Sequence, residues 1–502
     1  MRGFVQRLLL GAIALVTGFI SSASMAATLN VGMIGFPREF GQPYTVSNLP
    51  AIYTFTALYD ALTFVTHTGQ VDSWLALSWK QTSDTTWEFK LRPHVKFSNG
   101  ELLTSAAVVE SVAYLVSPEA RGDTVAAELS SLAGARAIDA LTVEITTKTP
   151  NPVLHREVSA LRIIAPEHWK KVGPDGYRLN PVGTGPFQVV KWNPARLEMV
   201  AFKESWRQAK VDAMNFFVLP DIPTRVQGLL SGQLDIALAL RTDERSMVEG
   251  AGHRLQASPG TGVFVIALHT IKDQRLADVR VRKALNLGVN RKKISELMLG
   301  GLVKPASQFT PPNASGYDPS LVPYAYDPEQ AKRLLAEAGY PDGLSLLFEG
   351  VMGGAVSDSS LFQQIASDLA NIGVKMEVRP MLISQLSTAM HSANGFEGSL
   401  FATDYGTAPS LDSLRSMKLH SCLHLYPWYC DQEGLPVLQQ ALAAKTEAER
   451  TALTRQVFRR YYDNYAAVLL WDIVYFDAVR KNVSDMPSVG SWIRWEGISK
   501  TE

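Results

Sequence analysis

The sequence predicts an α/β protein with two or more domains and mixed β-sheets. The chain has 502 residues, more than one hydrophobic core usually organises. Along the chain, short apolar or alternating runs that are typical of strands alternate with segments of helical periodicity. Neither a Ser/Gly-rich linker nor an internal repeat separates them. We therefore expect crossovers inside the fold, rather than flexible tethers, to join the domains.

The first 26 residues have the three parts of a secretion signal. Arg2 and Arg7 give a charged start, and an apolar run follows over residues 8–20. Ser24 and Ala26 are small residues at positions −3 and −1 of a cleavage site. The run has about 13 residues, whereas a helix needs about 20 to span a bilayer. We expect cleavage and export, and a membrane anchor is the alternative.

The charge balance argues against a nucleic-acid partner. Lys and Arg together number 48, as do Asp and Glu. The signal holds two of the cations, so the exported chain has 46 against 48 and a net charge of −2. Nucleic-acid-binding proteins need a basic surface to meet phosphates. Since no segment after the signal holds 18 uninterrupted apolar residues, we expect a soluble exported protein.

Strand and helix patterns alternate along the exported chain. Thr104 is the expected N-cap of one helix, and Gly232 and Gly339 are the expected ends of two others. Strands are predicted over residues 27–34, 86–92, 211–218, 235–240 and 469–476, with a hairpin over 181–202. Helices are predicted over residues 104–116, 222–231, 278–287, 291–299, 328–338, 361–371, 436–444 and 450–464.

The chain has two cysteines, Cys422 and Cys430. An export compartment favours disulfides. Because His420 and His424 lie within the same short stretch, a metal site is the alternative. Zinc sites usually repeat a tight Cys-x-x-Cys or His spacing, which this stretch lacks. The sequence therefore favours a disulfide and no metal.

No catalytic motif is visible in the sequence. A serine hydrolase of the α/β type needs Gly-x-Ser-x-Gly, and the serines beside glycine at Ser231 and Ser491 lack that frame. A His-Glu-x-x-His helix is missing as well. The Gly183–Gly185 turn is too short for a phosphate loop. We expect a protein that is not an enzyme and has no cofactor; an exported hydrolase is the alternative from another class.

A series of short motifs carries a family resemblance. The most particular are Asn180-Pro-Val-Gly-Thr-Gly-Pro-Phe187 and the stretch from Tyr326 to Tyr340. Further motifs lie at residues 58–62, 75–79, 86–92, 95–100, 228–236 and 279–285. In order and spacing they resemble the bacterial extracellular solute-binding proteins of the peptide/nickel family, family 5, which feed ABC importers. The departure is at residues 106–109, where an expected Asp is missing.

The resemblance implies a periplasmic-binding-protein-like fold of type II, large cluster. Such a fold has two lobes with mixed sheets, a hinge and an extra subdomain, and it closes around its ligand. The strand pattern places the two hinge crossovers near residues 262–268 and 469–476. We expect residues 27–57, 180–262 and 475–502 to form lobe I, residues 58–179 its inserted subdomain, and residues 263–474 lobe II.

The resemblance also implies a function. The chain is expected to be the periplasmic substrate-binding component of an ABC importer, which captures a small solute, first of all a di- or oligopeptide. Its partners are then a membrane permease and an ATPase, and we expect the binding protein itself to be a monomer. A nickel or metal chelate, an opine, a sugar and other small solutes are the alternative ligands within the family.

Asp404 is the main candidate for a ligand contact. It lies where peptide-binding relatives carry an Asp that pairs with the α-ammonium of the ligand, and Tyr405 follows it. A carboxylate in a closing cleft gains from a charged, hydrogen-bonded partner. The relatives usually continue with an acidic residue and Pro, whereas this chain has Gly406 to Pro409. The alternative is that Asp404 caps a turn.

Aromatic and basic residues give further candidates. Tyr426 and Trp428 lie between the cysteines, at a place similar to the disulfide loop of the dipeptide-binding relative. Their rings could stack on ligand groups, or Trp428 could anchor the loop to its own domain. Phe36 and Arg38 follow the first strand, and strand ends in such folds face the crevice. Arg38 is therefore a candidate for an anionic ligand group.

Overall fold

The structure is a computed structural model, and it describes residues 27–352, 359–393, 395–484, 486, 488–489 and 492–501. The predicted secretion signal, residues 1–26, lies outside the described residues. Within them, no helix is long and apolar enough to cross a membrane. The chain alternates strands and helices, as the sequence pattern predicts.

The strands form a ten-stranded mixed sheet, a four-stranded sheet and two short pairs. In chain order they are β1 (Thr28–Met33), β2 (Thr63–Val65), β3 (Val71–Ser73), β4 (Ala76–Ser83), β5 (Thr86–Leu91), β6 (Leu132–Asp139), β7 (Thr142–Thr147), β8 (Phe187–Asn193), β9 (Arg196–Ala201), β10 (Ala213–Val218), β11 (Ile236–Leu240), β12 (Arg254–Leu268), β13 (Leu344–Val351), β14 (Val374–Met381), β15 (Leu400–Gly406), β16 (Ala467–Val479), β17 (Ser488–Val489) and β18 (Trp492–Ile493).

The helices surround these sheets. In chain order they are α1 (Leu49–Leu58), α2 (Ser105–Val116), α3 (Thr124–Glu128), α4 (Leu154–Glu157), α5 (Pro166–Leu179), α6 (Ile222–Ser231), α7 (Arg245–Gly250), α8 (Val279–Gly288), α9 (Arg291–Met298), α10 (Pro328–Glu337), α11 (Ser359–Ala370), α12 (Ile383–Met390), α13 (Leu414–Met417), α14 (Leu435–Ala443) and α15 (Glu447–Asp463).

The large sheet has the strand order β14-β13-β15-β12-β16-β11-β1-β10-β9-β8. We call its β11-to-β8 half, with the residues packed on it, the first lobe, and its β14-to-β15 half the second lobe. Parallel pairing occurs inside each half, between β1 and its two neighbours and between β13 and its two neighbours. In the middle, β12 and β16 run antiparallel to each other through both halves.

The two central strands cross between the lobes. Residues 254–259 of β12 pair with β16 in the first lobe, and residues 263–267 pair with it in the second lobe. The register shifts between these stretches, at Pro259 and Val263. A Cβ at Gly260 would lie 2.6 Å from the carbonyl oxygen of Ile473, so glycine permits this close approach. The segments in which the sequence places the hinge lie in these strands.

Apolar side chains pack on both faces of the second-lobe sheet. Face A carries Leu400 and Ala402 of β15, which pack with α8, α9 and α11. Face B carries Phe401 and Tyr405 of β15, which pack with α14 and α15. Because successive strand residues point to opposite faces, each strand serves both cores.

A subdomain is attached to the first lobe. It consists of the four-stranded sheet, in the order β4-β5-β7-β6, with α2, α3 and α4. Phe89 of β5 and Met214 of β10 are fully buried in the same apolar cluster, so the subdomain and the first lobe share a core. The β2–β3 hairpin lies beside it in sequence.

The glycine-rich motif at residues 180–187 packs against the end of α1. The Gly185 N–H donates to the carbonyl oxygen of Leu58 at 3.0 Å, and a Cβ at Gly183 would lie 2.0 Å from that oxygen. Between the glycines, Thr184 donates its hydroxyl to Asp60 at 2.7 Å. The motif thus needs glycine for close packing, and its role in the described structure is to join α1 to β8.

Candidate ligand-binding cleft

Strand ends from both lobes point toward the crossover region. In the first lobe, β11 ends at Leu240, opposite Phe476 of β16. In the second lobe, β15 ends at Gly406, opposite Gly262 of β12. Both ends lie next to the register shift in β12. The residues that terminate β11 and β15 therefore face the cleft between the lobes.

Asp404 lies on face A near the end of β15 and is exposed to the cleft. Its cross-strand partner on β12 is Phe264, whose partner on β16 is Trp471. The Phe264 and Trp471 rings stack with their centroids 5.6 Å apart. These three side chains form a row across three adjacent strands, with a carboxylate at one end and an indole at the other.

Glycines make room for the Asp404 carboxylate. A Cβ at Gly406 would lie 2.8 Å from its Oδ2 atom, and a Cβ at Gly262 would lie 3.3 Å from it. Although the side chain is open to the cleft, the protein packed around it raises the pKa of Asp404, and the positive charge of Arg415 opposes this effect. The attraction between a carboxylate in this setting and a cationic ligand is stronger than the attraction to a carboxylate on an open surface.

His420 holds the backbone of β15 at this point. Its Nε2 lies 3.0 Å from the carbonyl oxygen of Asp404, and its ring stacks on Tyr405 at 3.8 Å between centroids. Burial lowers the pKa of His420 to about 3, so the ring is neutral at pH 7. Since a carbonyl oxygen accepts, Nε2 must carry the proton. His420 therefore positions the strand.

Tyr405 and Trp428 lie on the other side of the sheet from Asp404. Tyr405 is 1% exposed and Trp428 3% exposed, both in the face B core. Trp428 packs its edge against Phe401 at 5.1 Å. The expectation that Tyr405 contacts the ligand does not fit this arrangement, because the alternation of strand residues turns Tyr405 away from the cleft. The expectation that Trp428 stacks on the ligand does not fit it either, because its ring packs in the same core. The packing of Trp428 in the core of its own lobe favours the alternative, in which it anchors the loop.

The loop between the cysteines is closed by a disulfide, as the sequence predicts. The Cα atoms of Cys422 and Cys430 lie 4.6 Å apart, within the usual range for a disulfide. Tyr426 is 37% exposed at the tip of this loop, and His424 contacts its carbonyl oxygen through Nδ1 at 3.0 Å. Among the described residues, no group of three or more His, Cys, Asp or Glu side chains is placed to hold a metal ion.

Phe36 and Arg38 follow β1, as expected. Phe36 is partly buried in the first-lobe core, with its ring edge against Trp192 at 5.5 Å. The Arg38 side chain is 87% exposed and lies 3.4 Å from Glu39. Neither residue is joined to Asp404 by a contact that the structure describes, so their assignment to the ligand stays a prediction.

The subdomain touches the second lobe through several contacts. Arg415 donates to Glu128 of α3, Lys445 lies 2.6 Å from Asp84, and Arg156 donates to the carbonyl oxygen of Ser410 at 3.2 Å. The β2–β3 hairpin adds a small apolar cluster with the second lobe, made of Val65, Val71, Ala314 and Leu411. These contacts close the cleft on the subdomain side.

Two cavities flank the cleft. One, of about 310 Å³, lies between the subdomain and the second lobe and has charged walls that include Glu128, Lys148, Arg415 and Arg450. The other, of about 230 Å³, lies between the end of β11 and the second lobe and includes Trp471 in its wall. The second cavity thus adjoins the row that begins at Asp404.

Comparison with known proteins decides the family. A family model described as "Bacterial extracellular solute-binding proteins, family 5 Middle" matches residues 70–420. The chain belongs to this family. Family 5 supplies solute-binding proteins to ABC importers, as the sequence motifs indicate.

Relatives of this family-5 protein cover nearly its whole length. The glutathione-binding protein GsiB of Shigella dysenteriae is 26% identical over 470 residues, which cover 89% of this chain and 90% of GsiB. NikA from Brucella suis, solved with Fe(III)-EDTA, has a TM-score of 0.81 at 22% identity and covers 94% of this chain and 100% of its own. DppA from Helicobacter pylori, solved with the peptide STSA, has a TM-score of 0.77 at 19% identity, with coverages of 95% and 98%. These structures confirm the two-lobed fold.

Sequence reasoning missed the partners of Asp404 in this family-5 protein. Gly262, Phe264 and Trp471 come from strands that are distant from Asp404 in sequence, and their apolar runs indicated only buried strands. Arg415 carried no motif either. One signal was present in the sequence, the departure at Gly406 to Pro409 from the acidic residue and Pro expected after this Asp. Gly406, the first residue of that segment, leaves space beside the carboxylate.

Proposed function

We propose that this protein is the ligand-capturing component of an ABC importer and that its ligand is a di- or oligopeptide. The ligand binds between the lobes with its α-ammonium at Asp404, and the closed complex is delivered to the membrane permease and its ATPase. The observation that carries this proposal is the single carboxylate exposed at the end of β15, beside an aromatic row. Glutathione binding by GsiB and the peptide bound to DppA support a peptide ligand.

The proposal includes the location and organisation of the chain. Residues 1–26 are a cleaved signal, and the mature protein acts as a periplasmic monomer. Lobe I comprises residues 27–57, 180–262 and 475–502, lobe II comprises residues 263–474, and residues 58–179 form the inserted subdomain. Domain closure bends the β12 and β16 crossovers at the register shift, where the ladder between Pro259 and Val263 is interrupted.

The protein is proposed to bind without turnover. Purified protein, freed of bound ligand by unfolding and refolding, is screened by thermal shift against di- and tripeptides, glutathione, nickel chelates and opines. A peptide at 100 times its Kd should stabilise the protein by about 2.7 kcal/mol. Mass spectrometry should recover the peptide intact. Cleavage of the peptide would overturn the proposal of binding without turnover. A thermal shift with a nickel chelate or an opine, and with no peptide, would show that the ligand is not a peptide.

The charge of Asp404 is tested separately by Asp404→Asn. The substitution keeps the shape of the side chain and removes its charge, so a desolvated ammonium loses its partner. Calorimetry should show an affinity loss of about 2–5 kcal/mol, or roughly 30- to 4000-fold. A variant that binds within about threefold of the parent would assign Asp404 to the turn instead.

A further inference from the structure

A cavity of about 230 Å³ spans the two lobes at the crossover, with an apolar floor and a polar edge that includes Arg241, Asp243 and Ser360. A cavity of about 150 Å³ already accepts a benzene molecule, so this one has room for a leucine or phenylalanine side chain. The second lobe contributes Leu297, Met298, Leu361 and Trp471 to its walls, and the first-lobe side contributes Phe476 and the segment Arg241–Asp243.

The cavity floor is buried, while its rim is open. Leu361, Trp471 and Phe476 are exposed by 4%, 3% and 1%. Leu297 at the end of α9 is 74% exposed, although it is apolar and lines the cavity. Covering apolar surface of this kind with an apolar group of the ligand makes the free energy of binding more favourable. The lobes meet at this point, since the Thr242 hydroxyl donates to the carbonyl oxygen of Met298 at 3.4 Å.

The strand spacing of the sheet sets the distance between the cavity and Asp404. Trp471, in its wall, is the far member of the row that runs from Asp404 through Phe264. Two strand spacings separate the ends of this row, or about 10 Å. In an extended peptide the α-ammonium and the end of the second side chain are about 10 Å apart, from one Cα–Cα step of 3.8 Å and the length of the side chain.

We propose that this cavity takes the side chain of the second residue of a bound peptide and selects a large apolar one. This inference rests on the proposed function, because it needs the peptide α-ammonium at Asp404. A charged second side chain that reaches the floor is disfavoured, since it would lose its hydration among Leu361, Trp471 and Phe476. The polar edge of the cavity is too far out to replace that hydration for a side chain held at the floor. Selection then comes from the cavity, whereas Asp404 holds the part that all peptides share.

The test is a tripeptide series measured by calorimetry on ligand-free protein. Ala-Leu-Ala and Ala-Phe-Ala should bind about 10- to 100-fold more tightly than Ala-Ala-Ala. Leu-Ala-Ala and Ala-Lys-Ala should bind no more tightly than Ala-Ala-Ala. If all five bind within about threefold of one another, the cavity is not selective and the inference is wrong, while peptide binding stands. If none binds, the proposed function itself fails.

A pair of exposed leucines gives a matched variant and control. Leu297→Asp places a charge at the rim and should reduce the preference for Ala-Leu-Ala over Ala-Ala-Ala by at least about fivefold. Leu179→Asp changes a leucine that is 61% exposed at the end of α5 and should leave the preference unchanged. Both side chains are exposed, so both variants should fold, which circular dichroism checks. An unchanged preference in Leu297→Asp would overturn the assignment of the cavity.

Discussion

Arg415 of the second lobe forms an ion pair with Glu128 of the subdomain, from Nη2 to Oε1. The Glu128 side chain is 10% exposed, and the Arg415 side chain is 32% exposed. Through Nη1, Arg415 also donates to the carbonyl oxygen of Gly406 at 3.2 Å. One guanidinium therefore connects the subdomain to the strand end that carries Asp404. Since Glu128 and Arg415 belong to the subdomain and to the second lobe, we expect this pair to form as the cleft closes.

Glu128→Gln should weaken ligand binding by favouring the open form. Removing the charge leaves Arg415 without its ionic partner in the closed state, while the hydrogen bond that the Ser47 hydroxyl donates to Oε1 at 2.6 Å can remain in both states. We expect about a tenfold loss of peptide affinity, or about 1.4 kcal/mol. Small-angle scattering should show a larger radius of gyration for the ligand-free variant. Glu144→Gln is the control, because Glu144 pairs with Arg136 inside the subdomain. Equal losses in both variants would contradict the role of the pair in closure.

Ligand affinity should depend on pH through Asp404. The protein packed around this carboxyl group reduces its hydration and raises its pKa, so it becomes protonated at a higher pH than an ordinary Asp. A bound ammonium needs the ionised form, and affinity should fall as the pH drops through that pKa. Calorimetry between pH 8 and 4.5 should show this loss in the parent protein and a nearly flat profile in Asp404→Asn. Parallel profiles would mean that another group controls binding.

The sequence predicted the elements better than the site. The helix over residues 222–231 appears with those bounds, and Gly232 ends it in the left-handed conformation, because local periodicity and a glycine signal suffice there. Thr104 stands at the start of α2 but makes no capping hydrogen bond in the described structure. The row from Asp404 to Trp471 depends on the pairing of β12 with β15 and with β16, in which the paired residues are 140 and 207 positions apart along the chain, and periodicity does not encode such pairing. Tyr405 follows Asp404 in β15 and therefore points to the opposite face, while Trp428 lies in a loop whose packing on face B has no signal in the sequence.

Tyr405 and Trp428 should contribute to stability and not to affinity. Both rings lie in the face B core, behind the strand that carries Asp404. Tyr405→Phe and Trp428→Phe should leave peptide affinity within about twofold of the parent. Tyr405→Ala should cost about 3–5 kcal/mol of unfolding free energy, as for other large core truncations. Urea unfolding and calorimetry measure the two effects. A large affinity loss in Tyr405→Phe would mean that Tyr405 contacts the ligand after all.

The disulfide should stabilise the fold with little effect on binding. It closes a short loop between Cys422 and Cys430, for which chain entropy gives about 2–3 kcal/mol. The double change to Ser should therefore lower the unfolding free energy by up to that amount. Peptide affinity should stay within about twofold, because Trp428 packs the loop on face B, away from Asp404. The parent protein under reductant is the control, and it should show the same loss of stability.

Asp477 should make the fold less stable as the pH rises. It is 1% exposed in β16, and its Oδ1 accepts a hydrogen bond from the Ala239 N–H at 2.8 Å. Burial raises the pKa of Asp477 to about 7, and neither this hydrogen bond nor the charge of Arg225 offsets the effect. Between about pH 4 and 7 the folded protein keeps a proton that the unfolded chain releases. Stability from this group therefore falls across that window by at most about 4 kcal/mol and is constant above it.

Asp477→Asn removes this titration and tests its sign. The Asn Oδ1 atom can still accept from Ala239, so the packing of β11 against β16 is retained. In urea unfolding at pH 5, 6, 7 and 8, the unfolding free energy of the variant should increase relative to that of the parent as the pH rises, with the largest difference at pH 8. Asp472→Asn should act in the same direction, since burial also raises the pKa of Asp472 to about 7, against the nearby charge of Lys304. A parent and variant that run parallel across this range would show that Asp477 is ionised throughout, and that its hydrogen bond outweighs burial.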